Sequence, residues 1–160
     1  YMAKVELFKG LKEGKINPGE EKKQIGIIER DFGRDASVKE FKYLKMGHFR
    51  VNWERNGDLI KARSVSFFNA SEFFLGIRYN SKTRRITMSG KSLTNNAKEK
   101  LDQLGLGWTG QIRVFTDAKV ITHNATLVKK NKRKGGRFMT YIWKLNNIYA
   151  TTPSLVLQAG

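Results

Sequence analysis

The chain has 160 residues, with 31 Lys and Arg against 14 Asp and Glu, a formal net charge of +17 on 18.4 kDa. That length can bury a core without covalent or metal staples, and 39% hydrophobic residues with three Trp and ten Phe exclude a disordered polymer. The lack of cysteine excludes disulfides, thiolate chemistry and Cys-ligated zinc, and no apolar run approaches the roughly 18 residues of a membrane span.

One domain is the prior for this length. The sequence predicts an N-terminal arm or loop over 1–24 and a single compact β-rich domain over 25–160. The start, Tyr1-Met2-Ala3-Lys4, lacks the apolar region of a secretory signal; Met2 reads as the initiator and Tyr1 as an addition. Val5, Leu7 and Phe8 form a short apolar piece. Gly10, Gly14, Pro18 and Gly19 then lie among Lys and Glu, with a turn signal at Pro18-Gly19. Residues 24–30 predict a strand, because Ile25, Ile27 and Ile28 favour extended backbone. Residues 35–46 admit a short helix capped by Asp35 or Ser37 and stopped at Gly47. They also read as a strand in which Phe41, Tyr43 and Lys45 alternate with lysines, and strand or loop is preferred.

Residues 48–65 predict a hairpin. Asn56-Gly57 is the favoured dipeptide of a two-residue type I′ turn. A turn there pairs Trp53 with Ile60, Val51 with Ala62 and Phe49 with Ser64 on a core face. It sets Asn52 against Lys61 and Arg50 against Arg63 on the other. A second hairpin runs through Leu75, Ile77 and Tyr79 and returns through Arg84, Ile86 and Met88. A two-residue turn at Ser81-Lys82 pairs Ile77 with Ile86 and sets Arg78 against Arg85. Like charges directly opposite are unfavourable, so each Arg pair suits an anion between its members or splays into water. His48-Phe-Arg-Val51, Gly76-Ile-Arg-Tyr79 and Gln111-Ile-Arg-Val114 echo one another as hairpin patterning, not as a repeat.

Residues 92–104 predict the main helix, capped by Ser92 or Thr94 and ended by Gly105, with Leu93, Ala97, Leu101 and Leu104 as a stripe for a sheet. Residues 111–124 predict a strand pair turning near Asp117-Ala118. After Pro153, residues 154–158 predict a strand that closes a sheet or trails as a tail. The fold class expected is α+β with β dominant: an antiparallel sheet of consecutive hairpins with one main helix packed on it.

The most informative stretch is 125–145. Two strand-like runs flank a tip where Lys129, Lys130, Lys132, Arg133, Lys134 and Arg137 crowd around Gly135-Gly136. Such a tip cannot bury itself, because its charges repel and desolvating them is costly. It suits a polyanion, whose phosphates neutralise the charges and release counterions. Met139, Tyr141 and Trp143 alternate on the return arm. Trp53, Trp143 and most Phe read as core; Tyr141 and Phe138, nearest the tip, are the rings expected to stay exposed for base stacking.

No catalytic signature competes. His48 and His123 fall in different hairpins and read as sheet residues, since zinc sites cluster three or four ligands. Neither GxxxxGK[ST] nor GxGxxG is present, and there is no G-x-S-x-G elbow. Asp31 or Asp35 followed by Glu40-Phe41-Lys42 imitates the carboxylate-then-E-x-K order of metal-dependent nucleases, a short pattern that ordinary surface charge also produces.

The expected function is nucleic-acid binding, to DNA or RNA, with low sequence specificity and without chemistry. Lysines and arginines spread over sheet faces position phosphates rather than read bases. The expected contacts are the tip cations, Tyr141, and Arg50, Lys61, Arg63, Arg78 and Arg85. No cofactor or metal is expected, and the location expected is cytoplasmic or virion-associated rather than secreted. Two other readings remain open: a structural protein of a virion or large assembly with a basic face on packaged genome, and a small metal-dependent nuclease. Self-association would favour the first, with 154–158 as the candidate apolar edge.

Overall fold

The computed structural model describes residues 2–54, 64–66, 76–90, 93–105, 107, 109–130 and 136–160. Its contacts gather into two units, residues 1–56 and 57–160, each described by itself. Strand outweighs helix, 41% to 25%, and every strand pairing among the described residues is antiparallel, so the fold is α+β with β dominant. Among the described residues no helix is long and apolar enough to cross a membrane.

The first unit opens with two helices where a loop and a strand were expected: α1 (Met2–Lys12) and α2 (Pro18–Gly33). Helix α2 crosses residue 24, the expected domain boundary. Its start is set by local chemistry. The Asn17 side chain accepts a hydrogen bond from the Glu20 amide at 2.9 Å, Pro18 fills the first position, and Glu20 and Glu21 face the positive end of the helix dipole. Ile25, Ile28 and Phe32 then fall on one face at helical spacing, with Ile28 buried. The capped start and this stripe outweigh the extended preference of three isoleucines.

Strands β1 (Val38–Lys45) and β2 (His48–Trp53) follow as a hairpin. Strand is therefore the correct reading of 35–46. The connection is Met46-Gly47, with φ of 49° and 74°; a type I′ turn requires positive φ at both central residues. Gly47 is also close-packed, since a Cβ there would meet Phe8 at 3.0 Å. Strand β2 thus pairs backwards with β1, and among the described residues the two form a sheet of their own. The Asn56-Gly57 turn, Lys61 and Arg63 lie outside the described residues. Phe41, Tyr43, Phe49 and Val51 share one face of the hairpin. Phe32 of α2 stacks on Phe41 at 5.3 Å, and Phe49 touches Phe41 and Tyr43 at 5.2 and 5.1 Å.

The described residues of the second unit form two sheets. One has the order β3 (Ser64–Ser66), β4 (Gly76–Asn80), β5 (Arg85–Ser89), β10 (Ser154–Gln158), β7 (Lys119–His123). The other has the order β6 (Gly110–Thr116), β9 (Met139–Leu145), β8 (Leu127–Lys130). Their inner faces meet: Val114 of β6 lines one small apolar cleft with Ile77, Ile86, Met88, Leu155 and Leu157 of the larger sheet. Asn124 fastens the sheets together. Its side-chain oxygen accepts from Trp143 Nε1 and from the Ser154 amide, both at 2.7 Å, and its Nδ2 donates to the Thr152 carbonyl at 2.9 Å.

Three sequence expectations change here. Residues 154–158 do form a strand, but it lies between β5 and β7 with Leu155 and Leu157 buried, so it is no exposed edge. Strands β6 and β7 do turn at 117–118, but they pair with β9 and β10 and belong to different sheets. The β4–β5 connection spans 81–84 rather than two residues. Asn80 accepts from the amides of Lys82 and Thr83, and Arg84 takes a positive φ of 51°. This slips the register by two, so Ile77 pairs with Met88 and Arg78 with Thr87. An even slip keeps every side chain on its expected face. The predicted main helix is α3 (Asn95–Gln103), capped by Thr94. It buries no residue fully, and Leu104 is exposed.

Candidate nucleic-acid interface

The charge is concentrated in one unit. Residues 57–160 carry 18 Lys and Arg against five Asp and Glu, a net of +13; residues 1–56 carry 13 against nine, a net of +4. The ion pairs among the described residues, Lys9–Glu13, Lys15–Glu13 and Arg34–Asp31, all lie in 1–56. The described cations of the second unit have no carboxylate partner among the described residues.

Strand alternation sorts these cations. In the sheet β6-β9-β8, Ile112, Val114, Tyr141, Trp143 and Val128 face inward. The opposite parity faces out in three cross-strand rows. The first row is Phe115, Thr140 and Lys129; the second is Arg113, Ile142 and Leu127; the third begins Gln111 and Lys144. Thr140 and Ile142, on the central strand, are buried between their neighbours. Phe115 is 54% exposed, and Arg113, Lys129, Lys144 and Leu127 are exposed around it. Arg113 Nε donates to Gln111 Oε1 at 2.6 Å, which steadies the guanidinium without neutralising it. Strands pair at about 4.8 Å and same-face residues repeat every 6.7 Å or so along a strand, so on the face that carries the ring Arg113 lies one repeat along β6, Lys129 two strands across, and Lys144 one strand across and two repeats along.

The expected basic hairpin exists as β8 and β9. Lys129, Lys130 and Arg137 are exposed on its arms; Lys132, Arg133 and Lys134 lie outside the described residues. Tyr141 is not the exposed ring expected. It is 7% exposed, on the inward face of the central strand, with its ring edge-on to His123 at 5.0 Å. Proximity in sequence to the tip suggested exposure, but strand parity decides it. Trp143 is core, as expected, at 2% exposed. Phe138 is half-buried.

Arg78 and Arg85 are exposed on the outer face of the larger sheet, two residues out of register rather than opposed. Lys119 lies two strands from Arg85, across Gln158. Arg50 belongs to the first unit, on the outer face of β2 directly opposite Lys42. The predicted contacts therefore do not form one patch: Lys129 faces out from one sheet, Arg78 and Arg85 from the other. Sequence reasoning missed Phe115, Lys119 and the outward grouping of Arg113 with Lys144. The signal was present in Gln111–Thr116, where Ile112, Val114 and Thr116 take one parity and Gln111, Arg113 and Phe115 the polar one.

The nuclease-like carboxylates are engaged separately. Asp35 accepts from the amide and hydroxyl of Ser37 at 2.9 and 2.6 Å, Asp31 pairs with Arg34, and Glu40 accepts from Asn52 across the β1–β2 hairpin. No group of three or more His, Asp or Glu that could hold a metal ion occurs among the described residues. His48 lies on β2 against Phe8, and His123 Nδ1 accepts from the Ala125 amide at 3.1 Å, so both are sheet residues as expected. Family models, curated proteins and solved structures offer no match to this chain.

Proposed function

We propose that the chain binds nucleic acid through its phosphates, with low sequence specificity, and that residues 57–160 do the binding. The observation that supports this is the segregation of charge: a net +13 lies in that unit, and its described cations, among them Arg78, Arg85, Arg113, Lys119, Lys129 and Lys144 on strands, have no carboxylate partner among the described residues. Uncompensated cations on rigid strands repel one another and destabilise the unit unless an anion joins them. Because Lys and Arg fan out over sheet faces, contact with a phosphate backbone follows more readily than base readout.

The test is the salt dependence of binding to single-stranded and duplex DNA and RNA. The variant Arg113→Ser, Lys129→Ser, Lys144→Ser removes three cations. Each lost phosphate contact lowers the log–log salt slope by about 0.7 on a single strand and 0.9 on a duplex. A slope reduced by about two in the triple variant, with the far-UV spectrum unchanged, is the expected result. If wild type binds none of the four nucleic acids at low salt, the proposal fails.

A further inference from the structure

We infer that the outer face of β6-β9-β8 is a platform for a single strand, with Phe115 as a base-stacking residue. The inference rests on the nucleic-acid reading above and narrows it to one ligand class and one face. Three observations carry it. The sheet has an inner face that supplies the core, so Phe115 is not needed there; it is the residue of β6 that breaks the polar parity Gln111, Arg113. Its ring is 54% exposed, whereas Tyr141 and Trp143 of the neighbouring strand are buried. The exposed charged groups on the same face are Arg113, Lys129 and Lys144, with no carboxylate among the outward residues of the three rows.

An exposed aromatic on a solvent face offers a flat apolar surface that a planar ligand can cover. A ring that shares its sheet face with cations lacking a carboxylate partner among the described residues is suited to a ligand that is flat, apolar on its faces and anionic at its edge. A nucleotide in a single strand has that chemistry: the base stacks on the ring while phosphates reach the cations. A duplex does not offer it, because its base faces are already stacked inside the helix. An acidic peptide would satisfy the cations and leave the ring without a planar partner. In the middle row Leu127 is exposed, while Ile142 between it and Arg113 is buried, so the exposed apolar surface beyond Phe115 on this face is that of Leu127.

The experiment measures binding of a labelled 20-nucleotide oligothymidylate and of a 20-base-pair duplex, by anisotropy, to the full chain. Phe115→Leu keeps an apolar side chain of similar reach but removes the π face; far-UV and thermal melting controls check the fold. Loss of one stacked base weakens oligothymidylate binding by roughly 5- to 150-fold and leaves the duplex within about twofold. Phe115→Trp retains single-strand binding, and its added emission is quenched by the oligonucleotide. If Phe115→Leu leaves both ligands bound as in wild type, or weakens both equally, the platform is refuted while the nucleic-acid reading stands. If wild type binds neither ligand, that reading falls and the platform with it. If Phe115→Leu changes the sedimentation of the ligand-free protein, the face serves self-association and the inference is overturned.

Discussion

Asn124→Ala tests whether one side chain holds the two sheets of the second unit in place. Its Oδ1 accepts from Trp143 Nε1 and the Ser154 amide, and its Nδ2 donates to Thr152. The three bonds are not equal. Trp143 is 2% exposed, so its indole N–H loses its acceptor where water has poor access, at about 1–3 kcal/mol. The Ser154 and Thr152 groups lie at the exposed side and take water instead, adding about 1 kcal/mol at most. The expected loss is about 2–3 kcal/mol, a fall of roughly 5–10 °C in Tm for a chain of this size. Urea denaturation followed by far-UV circular dichroism measures it without depending on tryptophan emission. Combining the change with Trp143→Phe removes the orphaned donor, so the cycle couples by about 1–2 kcal/mol. A loss below about 0.5 kcal/mol, or additive single changes, would refute the role assigned to Asn124.

Leu155→Ala removes a side chain 1% exposed on a strand with neighbours on both sides, and is expected to destabilise by about 2–5 kcal/mol; a urea midpoint within error of wild type would contradict the inner position of β10. Tyr43 gives a pH dependence in the first unit. Burial, and then the hydrogen bond to Glu21, raise its hydroxyl above the ordinary value of 10.0. The folded state therefore favours the neutral phenol. That contribution is intact below about pH 10 and is lost as pH rises through the higher folded value. Tyr43→Phe is expected to flatten the fall in stability above pH 10, and an identical alkaline profile for both proteins would count against it.

Strand alternation was written locally and survived. The β8–β9 hairpin, the strand at 154–158 and the outward parity of Arg50 and Arg78 follow from period-two patterning, which depends only on neighbours in sequence. The cap of α3 at Thr94 is equally local. Where two local signals competed over 18–33, the isoleucines pointed to a strand, while Asn17, Pro18, Glu20 and Glu21 specified a helix start that a capping analysis would have found. The sequence by itself thus determined the basic character of 57–160, the β-dominant class and which face of most strands is polar. Partner choice was not local. Whether β2 pairs with β1 or β3, whether β6 pairs with β7 or β9, and whether 154–158 is an edge or a centre depend on which apolar faces can be buried together across long stretches of chain. Parity is fixed residue by residue, but pairing is fixed by the whole core. For that reason Tyr141 looked available from its place beside the tip and was buried by its place in the central strand, while Phe115 stood exposed on a face it shares with Lys129 and Lys144, cations of two other strands that only the folded sheet puts on that face.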